Sequence, residues 1–176
     1  DPSELSDREL EQLARGWVRG LYKYIGERID IPAPDVNTNG QIMSWFLDEY
    51  IKVNGVRQDI GTFTGKPVGL GGSEGRNEAT GFGVAVVTRE AAKREGIDFK
   101  HAKIAVQGFG NVGSFTVKNI ERQGGKVYAL AEWDKKEGNY ALYNENGLDF
   151  KKLLAYKEEH HTLIGYPDAK QISADD

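Results

Sequence analysis

Val106-Gln107-Gly108-Phe109-Gly110-Asn111-Val112-Gly113 is the stretch on which the reading of this chain turns. Lys103 to Gln107 reads as a short apolar strand and Asn111 to Gln123 as a helix, so the three glycines fall on a strand-to-helix turn. In a dinucleotide fingerprint the first glycine, Gly108, permits the tight turn. The second, Gly110, lets the backbone approach a pyrophosphate, and the third, Gly113, lets the helix lie close on the strand. Beyond Phe109, the start of the helix through Asn111 and Val112 offers unpaired N–H groups to the anion. A second apolar strand, Val127 to Ala131, ends at Glu132. Its carboxylate stands about 20 residues beyond the glycines, where it can accept hydrogen bonds from a ribose diol. Glycines also mark ordinary turns. Strand, helix, second strand and terminal acid together favour the nucleotide reading. Gly108, Phe109, Gly110, Asn111, Val112, Gly113 and Glu132 are therefore the expected cofactor contacts.

On the N-terminal side, Ser6-Asp7-Arg8-Glu9 has the form of a capping box. Leu10, Leu13, Trp17, Leu21 and Tyr24 follow at helical spacing, predicting an amphipathic helix that stops at Gly26, with Trp17 and Tyr24 in the core. Ile29 to Ile31 reads as a short strand running into the stiff, extended turn Pro32-Ala33-Pro34-Asp35. Asn37 to Gly40 carries turn or cap chemistry. Gln41 to Val53 is a second helix, with Ile42, Phe46 and Tyr50 inward. From Gly55 to Gly75 the pattern dissolves into glycines, as in a linker or a loop that hugs a ligand. Glu78 to Arg94 is a third helix with Val84, Val87 and Ala91 on one side. Leu148 to His161 is a further helix, and Leu163-Ile164-Gly165-Tyr166 reads as a last strand.

A doubly wound α/β nucleotide fold needs several parallel strands with helices on both faces, and only its first two strands are legible here. Two strands do not make a stable sheet alone. The expectation is the middle of a longer protein, cut at both ends: residues 1–70 finishing one domain and residues 71–176 beginning an incomplete Rossmann-type domain.

Composition sets the outer limits. The 176 residues are 39% hydrophobic and 28% charged, as in a globular protein with a core, and the formal charge is −4. No basic run points to nucleic acid or an anionic membrane surface. Without cysteine there is no disulfide, no thiolate metal site and no cysteine nucleophile. No apolar run approaches the roughly 20 residues of a membrane span and no signal sequence opens the chain, so a cytoplasmic location is expected. His101, His160 and His161 lack metal-ligand spacing, and no metal is expected.

Asp35 is the sharpest catalytic candidate, because a general acid/base must first be held in place and its backbone is stiff. The competing reading is an Asx-turn or N-cap aspartate bonding the amides near Asn37, and the local sequence favours it. Arg76 and Thr80, at the mouth of the third helix, have the chemistry to clamp a carboxylate and to bond a carboxamide or phosphate oxygen. A surface ion pair and an ordinary cap are the plainer alternatives. Lys66 reads as a solvated loop residue rather than a substrate ligand.

The segments Ile31-Pro32-Ala33-Pro34-Asp35-Val36-Asn37-Thr38, Thr64-Gly65-Lys66-Pro67, Gly71 to Gly81 and Gln107 to Gly113, in this order and spacing, resemble the hexameric glutamate dehydrogenases of the glutamate/leucine/phenylalanine/valine dehydrogenase superfamily. The resemblance covers nearly the whole chain. It implies a two-domain subunit with its active site in the cleft between the domains. It also implies reversible NAD(P)-dependent oxidative deamination of L-glutamate to 2-oxoglutarate and ammonia, in a homohexamer. By matched position Asp35 becomes the proton shuttle at the substrate amine, which reverses the local preference. Arg76 comes to lie by the substrate carboxylates and Thr80 by the nicotinamide carboxamide. The family's water-activating lysine would fall just before Asp1, so the chain alone is expected to be inactive. Two positions depart from the family pattern. Trp133-Asp134-Lys135-Lys136-Glu137 replaces a short glycine-bearing turn, and His161 replaces a frequent glycine, which leaves the end of the last helix open. Glu132 would repel a 2′-phosphate and favours NAD, while Lys135 and Lys136 could offset the repulsion and admit NADP. A dehydrogenase of leucine, phenylalanine or valine type, and a non-catalytic nucleotide-binding or assembly fragment, remain as alternatives.

Overall fold

A computed structural model describes residues 2–55 and 59–173, and the chain divides into two units between Arg76 and Asn77. Residues 56–58, inside the glycine-rich stretch, lie outside the described residues.

In the first unit, helix α1 (Asp7–Leu21) starts where the capping box puts it. Ser6 Oγ accepts the Glu9 amide, and Glu9 reaches back to the Ser6 amide at 2.9 Å. Helix α2 (Gly40–Asn54) is capped by the Asn39 side chain, which accepts the amides of Gln41 and Ile42. The two helices pair through only part of the expected stripe, Leu10 and Trp17, together with residues outside it. Ala14 and Val18 are buried, whereas Leu13 is 58% and Tyr24 69% exposed. Trp17 is partly exposed and stacks on Phe46 with ring centroids 4.8 Å apart. Charge sets the rotation of α1: Arg15 bonds Asp48 at 2.5 Å and Arg19 bonds Glu49 at 2.6 Å. With these arginines turned toward α2, Ala14 and Val18 are buried there, Trp17 packs on Phe46 at the edge of the contact, and Leu13 and Tyr24 stay exposed. Ile29 to Ile31 is no strand. The segment folds on itself, with the Ile29 amide donating to Gly26 O and the Gly26 amide to Asp30 O. Val18, Ile25, Leu47, Tyr50 and Phe63 form one buried cluster of this unit, and Ala14, Ile42 and Met43 another.

The second unit is built on a four-stranded sheet in the order β1-β2-β3-β4, from Ile104–Gln107, Val127–Asp134, Gly138–Tyr143 and Lys170–Ile172. Strands β1 and β2 are parallel, while β2/β3 and β3/β4 are antiparallel. The sheet is thus mixed and not limited to two strands. β2 runs past Glu132 to Asp134, and Lys135-Lys136-Glu137 turns it back into β3 at Gly138. The segment that departs from the family pattern thus forms the end of β2 and the turn, and Gly138 opens β3 at φ 72°. Leu163 to Tyr166 is a turn; its hydrophobicity fills the core, Leu163 being fully buried.

Helix α3 (Arg76–Arg94), α4 (Asn111–Arg122) and α5 (Phe150–His160) complete the unit. One core joins Val117, Ile120, Val127, Leu130, Leu142 and Leu153 with Phe109 and Leu163. Helix α3 turns Gly81 and Ala85 inward, and Val84 and Val87 outward. The reason is close packing: a side chain at Gly81 would collide with the backbone at Phe115 and Thr116. Helix α5 ends at His160, and His161 adopts φ 58° as its left-handed cap, the conformation for which glycine is favoured.

Candidate functional site

The glycine turn has the geometry its spacing predicts. Gly108 sits at φ 84°, a conformation that costs a side-chain-bearing residue free energy. A Cβ at Gly113 would overlap the Gly108 carbonyl, so α4 rests directly on the end of β1. At Gly110 a side chain would meet only open space. Gly110 is the N-cap, and Ser114 is the first residue of α4 to bond back, to Gly110 O. The amides of Asn111, Val112 and Gly113 have no acceptor among the described residues, and both Asn111 and Val112 are exposed. This open helix start concentrates partial positive charge where an anion can reach it.

Phe109 differs from its neighbours. Its ring is buried, 6.3 Å from that of Phe150, and its amide donates to Glu132 Oε2 at 3.1 Å. It shapes the turn from below and does not face the open mouth. Glu132 lies inside β2, directly opposite Tyr140 of β3, and its Oε2 also takes the Lys157 ammonium at 2.7 Å. Lys157 further donates to Phe109 O at 3.1 Å, so one ammonium ties α5 to both the turn and the acid. The sequence reading missed Lys157. Its only local signal is a cation in the last turn of α5, and the contact spans 25 positions to Glu132. A carboxylate has about four acceptor sites, and among the described residues Glu132 Oε1 meets only the Trp133 amide at 3.3 Å. Beside it an open groove of about 770 Å³ is bordered by Gly108, Ala131, Glu132, Trp133 and Asn139. At the same end of β2, the amides of Lys136 and Glu137 hold the Asp134 carboxyl below the usual carboxylate range.

In the first unit Asp35 is exposed in a turn of its own making. The Thr38 amide donates to Asp35 O at 3.0 Å, and Asp35 Oδ1 accepts the Val36 amide at 2.8 Å. It does not cap α2, a role filled by Asn39. Its second carboxylate oxygen has no partner among the described residues. Arg76 and Thr80 lie four residues apart on the first turns of α3, the spacing that aligns two side chains. Both are exposed, and among the described residues neither makes the surface ion pair or cap that local chemistry suggested. Lys66 is not solvated: it is 8% exposed and donates to Phe63 O at 2.7 Å. Among the described residues no cluster of three or more His, Asp or Glu has metal-binding geometry, and no helix is long and apolar enough to cross a membrane.

Strand, glycine turn, helix and returning parallel strand define a βαβ unit of the dinucleotide-fold class. The comparison with known proteins narrows the class. Residues 71–176 match the Glutamate/Leucine/Phenylalanine/Valine dehydrogenase family model, and residues 1–52 match the dimerisation-domain model of the same enzymes. The chain belongs to the Glu/Leu/Phe/Val dehydrogenase family. It is 80% identical over 173 residues to the NAD-specific glutamate dehydrogenase of Peptoniphilus asaccharolyticus, covering 98% of this chain and 41% of that relative. It is 62% identical to the NAD-specific glutamate dehydrogenase of Clostridioides difficile, covering all of this chain and 42% of the relative. Among solved structures, the hetero-hexameric glutamate dehydrogenase of Thermus thermophilus superposes with a TM-score of 0.84 at 38% identity, over 93% of this chain and 38% of that one. The chain thus spans about two fifths of the length of the relatives it matches.

Proposed function

We propose that this chain is the central part of an NAD-dependent glutamate dehydrogenase, which interconverts L-glutamate with 2-oxoglutarate and ammonia. The observation that carries the reading is the open start of α4, with amides at Asn111, Val112 and Gly113 unpaired among the described residues, after a turn whose Gly108 lines one groove together with Glu132. That cradle suits a pyrophosphate, and Glu132 suits an unphosphorylated ribose. The names of the 80% and 62% identical relatives support NAD, although a relative at 40% identity is NADP-specific. The bound nicotinamide supplies the acceptor for the hydride that leaves the substrate α-carbon. Asp35 moves a proton to and from the substrate amine through its free carboxylate oxygen, on a backbone stiffened by Pro32 and Pro34. Arg76 pairs its unengaged guanidinium with a substrate carboxylate in a charge-assisted bond. Thr80, one turn further along α3, offers its hydroxyl to the carboxamide. Residues 1–70 belong to a substrate and assembly domain and 71–176 to the nucleotide domain. A cytoplasmic homohexamer is part of the same reading; the matched dimerisation-domain model and the hetero-hexameric Thermus relative support assembly into an oligomer.

The test is steady-state kinetics of the full-length protein with glutamate, leucine, phenylalanine and valine, each with NAD and NADP. Glutamate with NAD should give the highest kcat/KM. Asp35→Asn should lower kcat by about 10²-fold or more while NADH still binds. Preference for another amino acid, or an undiminished Asp35→Asn variant, overturns the assignment.

A further inference from the structure

We propose that Gly65 is a positioning residue for Asp35, an inference that rests on the reading of Asp35 as the proton shuttle. The bonds within residues 35–38 give the Asp35 turn its shape. Asp35 N donates to Thr38 Oγ1 at 2.5 Å and Thr38 Oγ1 to Asp35 O at 2.7 Å, besides the Thr38 and Val36 amide bonds. None of them fastens that turn to the rest of its unit. The fastening comes from residues 63–67. The Thr64 amide donates to Pro32 O at 3.1 Å, and the Cα of Gly65 faces the ring of Pro34, the residue next to Asp35. A methyl group on Gly65 would overlap that ring, standing 2.6 Å from Pro34 Cδ and closer still to Cγ. Gly65 also sits at φ 67°, so two independent constraints select glycine there. On the other side of the turn, the ring of Pro67 and the carbonyl of Gly65 lie against Gly40, the first residue of α2.

Residues 63–67 are themselves rigidly held. Phe63 is fully buried, with its ring 5.6 Å from Phe46 and 5.8 Å from Tyr50. Lys66, buried and unused by the chemistry, spends its ammonium on Phe63 O and so staples the segment to its own anchor. Displacement therefore runs one way. A side chain at Gly65 cannot push into the Phe63 anchor, so it pushes on Pro34. The pyrrolidine ring fixes Pro34 φ near −65°, which prevents that residue from absorbing the shift by rotation. The shift passes to Asp35. A misplacement of about 1 Å can cost a reacting group about 10²-fold in rate.

The experiment compares Gly65→Ala, Asp35→Asn and the double variant in the full-length enzyme, reading kcat, KM for glutamate, the NADH Kd and the melting temperature. Gly65→Ala should lower kcat about 10- to 100-fold, with the NADH Kd unchanged within about twofold. In the Asp35→Asn background the same change should cost nothing further, because the group it positions is gone. An equal loss in both backgrounds, or a wild-type kcat for Gly65→Ala, overturns the proposal. If Gly65→Ala does not fold, Pro34→Ala replaces it, with an expected loss of about 3- to 10-fold that also vanishes beside Asp35→Asn; an unchanged kcat there counts against the proposal. A wild-type kcat for Asp35→Asn alone sinks the shuttle reading itself. An impaired Asp35→Asn with an additive Gly65→Ala sinks only the positioning.

Discussion

Gly110 and Gly113 are three positions apart in one turn, yet the absent side chain answers to a different neighbour at each. At Gly113 the neighbour is protein: the Gly108 carbonyl occupies the place of a Cβ. Gly113→Ala must lift α4 from β1, with an overpacking cost of about 1–3 kcal/mol and a displaced set of amides. Both the melting temperature and the NADH affinity should fall, the latter by tenfold or more by the rule of about 1.4 kcal/mol per decade. At Gly110 the neighbour is solvent, and a methyl group there touches nothing. Gly110→Ala should leave stability close to wild type while weakening NADH, because only the bound ligand comes near that atom. Calorimetric titration beside a thermal melt separates the two. Loss of stability without loss of affinity in either variant would contradict the pyrophosphate cradle.

At the scale of elements, charge governs how α1 meets α2. Arg15 bonds Glu11, Asp48 and Glu49, and Arg19 bonds the buried Glu49. Lys52, then Arg15, hold the Asp48 carboxyl below its ordinary value of 3.8, and Arg19, then Arg15, hold Glu49 below 4.5. A carboxylate with a depressed native pKa binds fewer protons folded than unfolded. Its contribution is complete above the ordinary value and is lost as pH falls through the lowered one. The pairing of α1 with α2 should therefore weaken progressively below about pH 4.5. Glu49→Gln should cost about 1–2 kcal/mol at neutral pH and make the melting temperature less sensitive to acid below that point. Parallel pH slopes for the two proteins would show that Glu49 does not drive the effect. The same helices show why some structure was legible in the sequence and some was not. Ser6, Asn39 and the glycine turn act within three or four residues, so their chemistry is readable locally. The inward face of α1 is not, because Arg15 and Arg19 find their partners about 30 residues away. β3 escaped notice because Gly138-Asn139 follows a run of charge, and its strand character comes from pairing with β2 residue by residue. β4 is three residues long and exists only as the partner of β3. Lys157 and the Pro34–Gly65 contact were hidden for the same reason: both join segments far apart in the sequence.

On the scale of the molecule, the buried clusters respect the division of the chain. Every member of the Phe109–Leu153 core lies beyond residue 84, and the two clusters around Val18 and Met43 end at Phe63. Each unit has its own hydrophobic reason to fold, so their stabilities need not move together. A ligand that binds only the native state of one unit raises that unit's stability by RT ln(1 + [L]/Kd), about 2.7 kcal/mol at a hundredfold excess over Kd. The nucleotide fingerprint is confined to the second unit, whereas carboxylates held below their ordinary range lie in both, Asp48 and Glu49 in the first and Glu78 and Asp134 in the second. Calorimetry of the 176-residue chain should then resolve two transitions, only one of which responds to the nucleotide. Lowering the pH from 7 to 4 should move both transitions down, whereas saturating NADH at pH 7 should move only the second unit's up, by several degrees. Trp17 and Trp45 report on the first unit and Trp133 on the second, so variants retaining one reporter assign each transition. One cooperative transition that NADH shifts as a whole would mean that the units are energetically a single body.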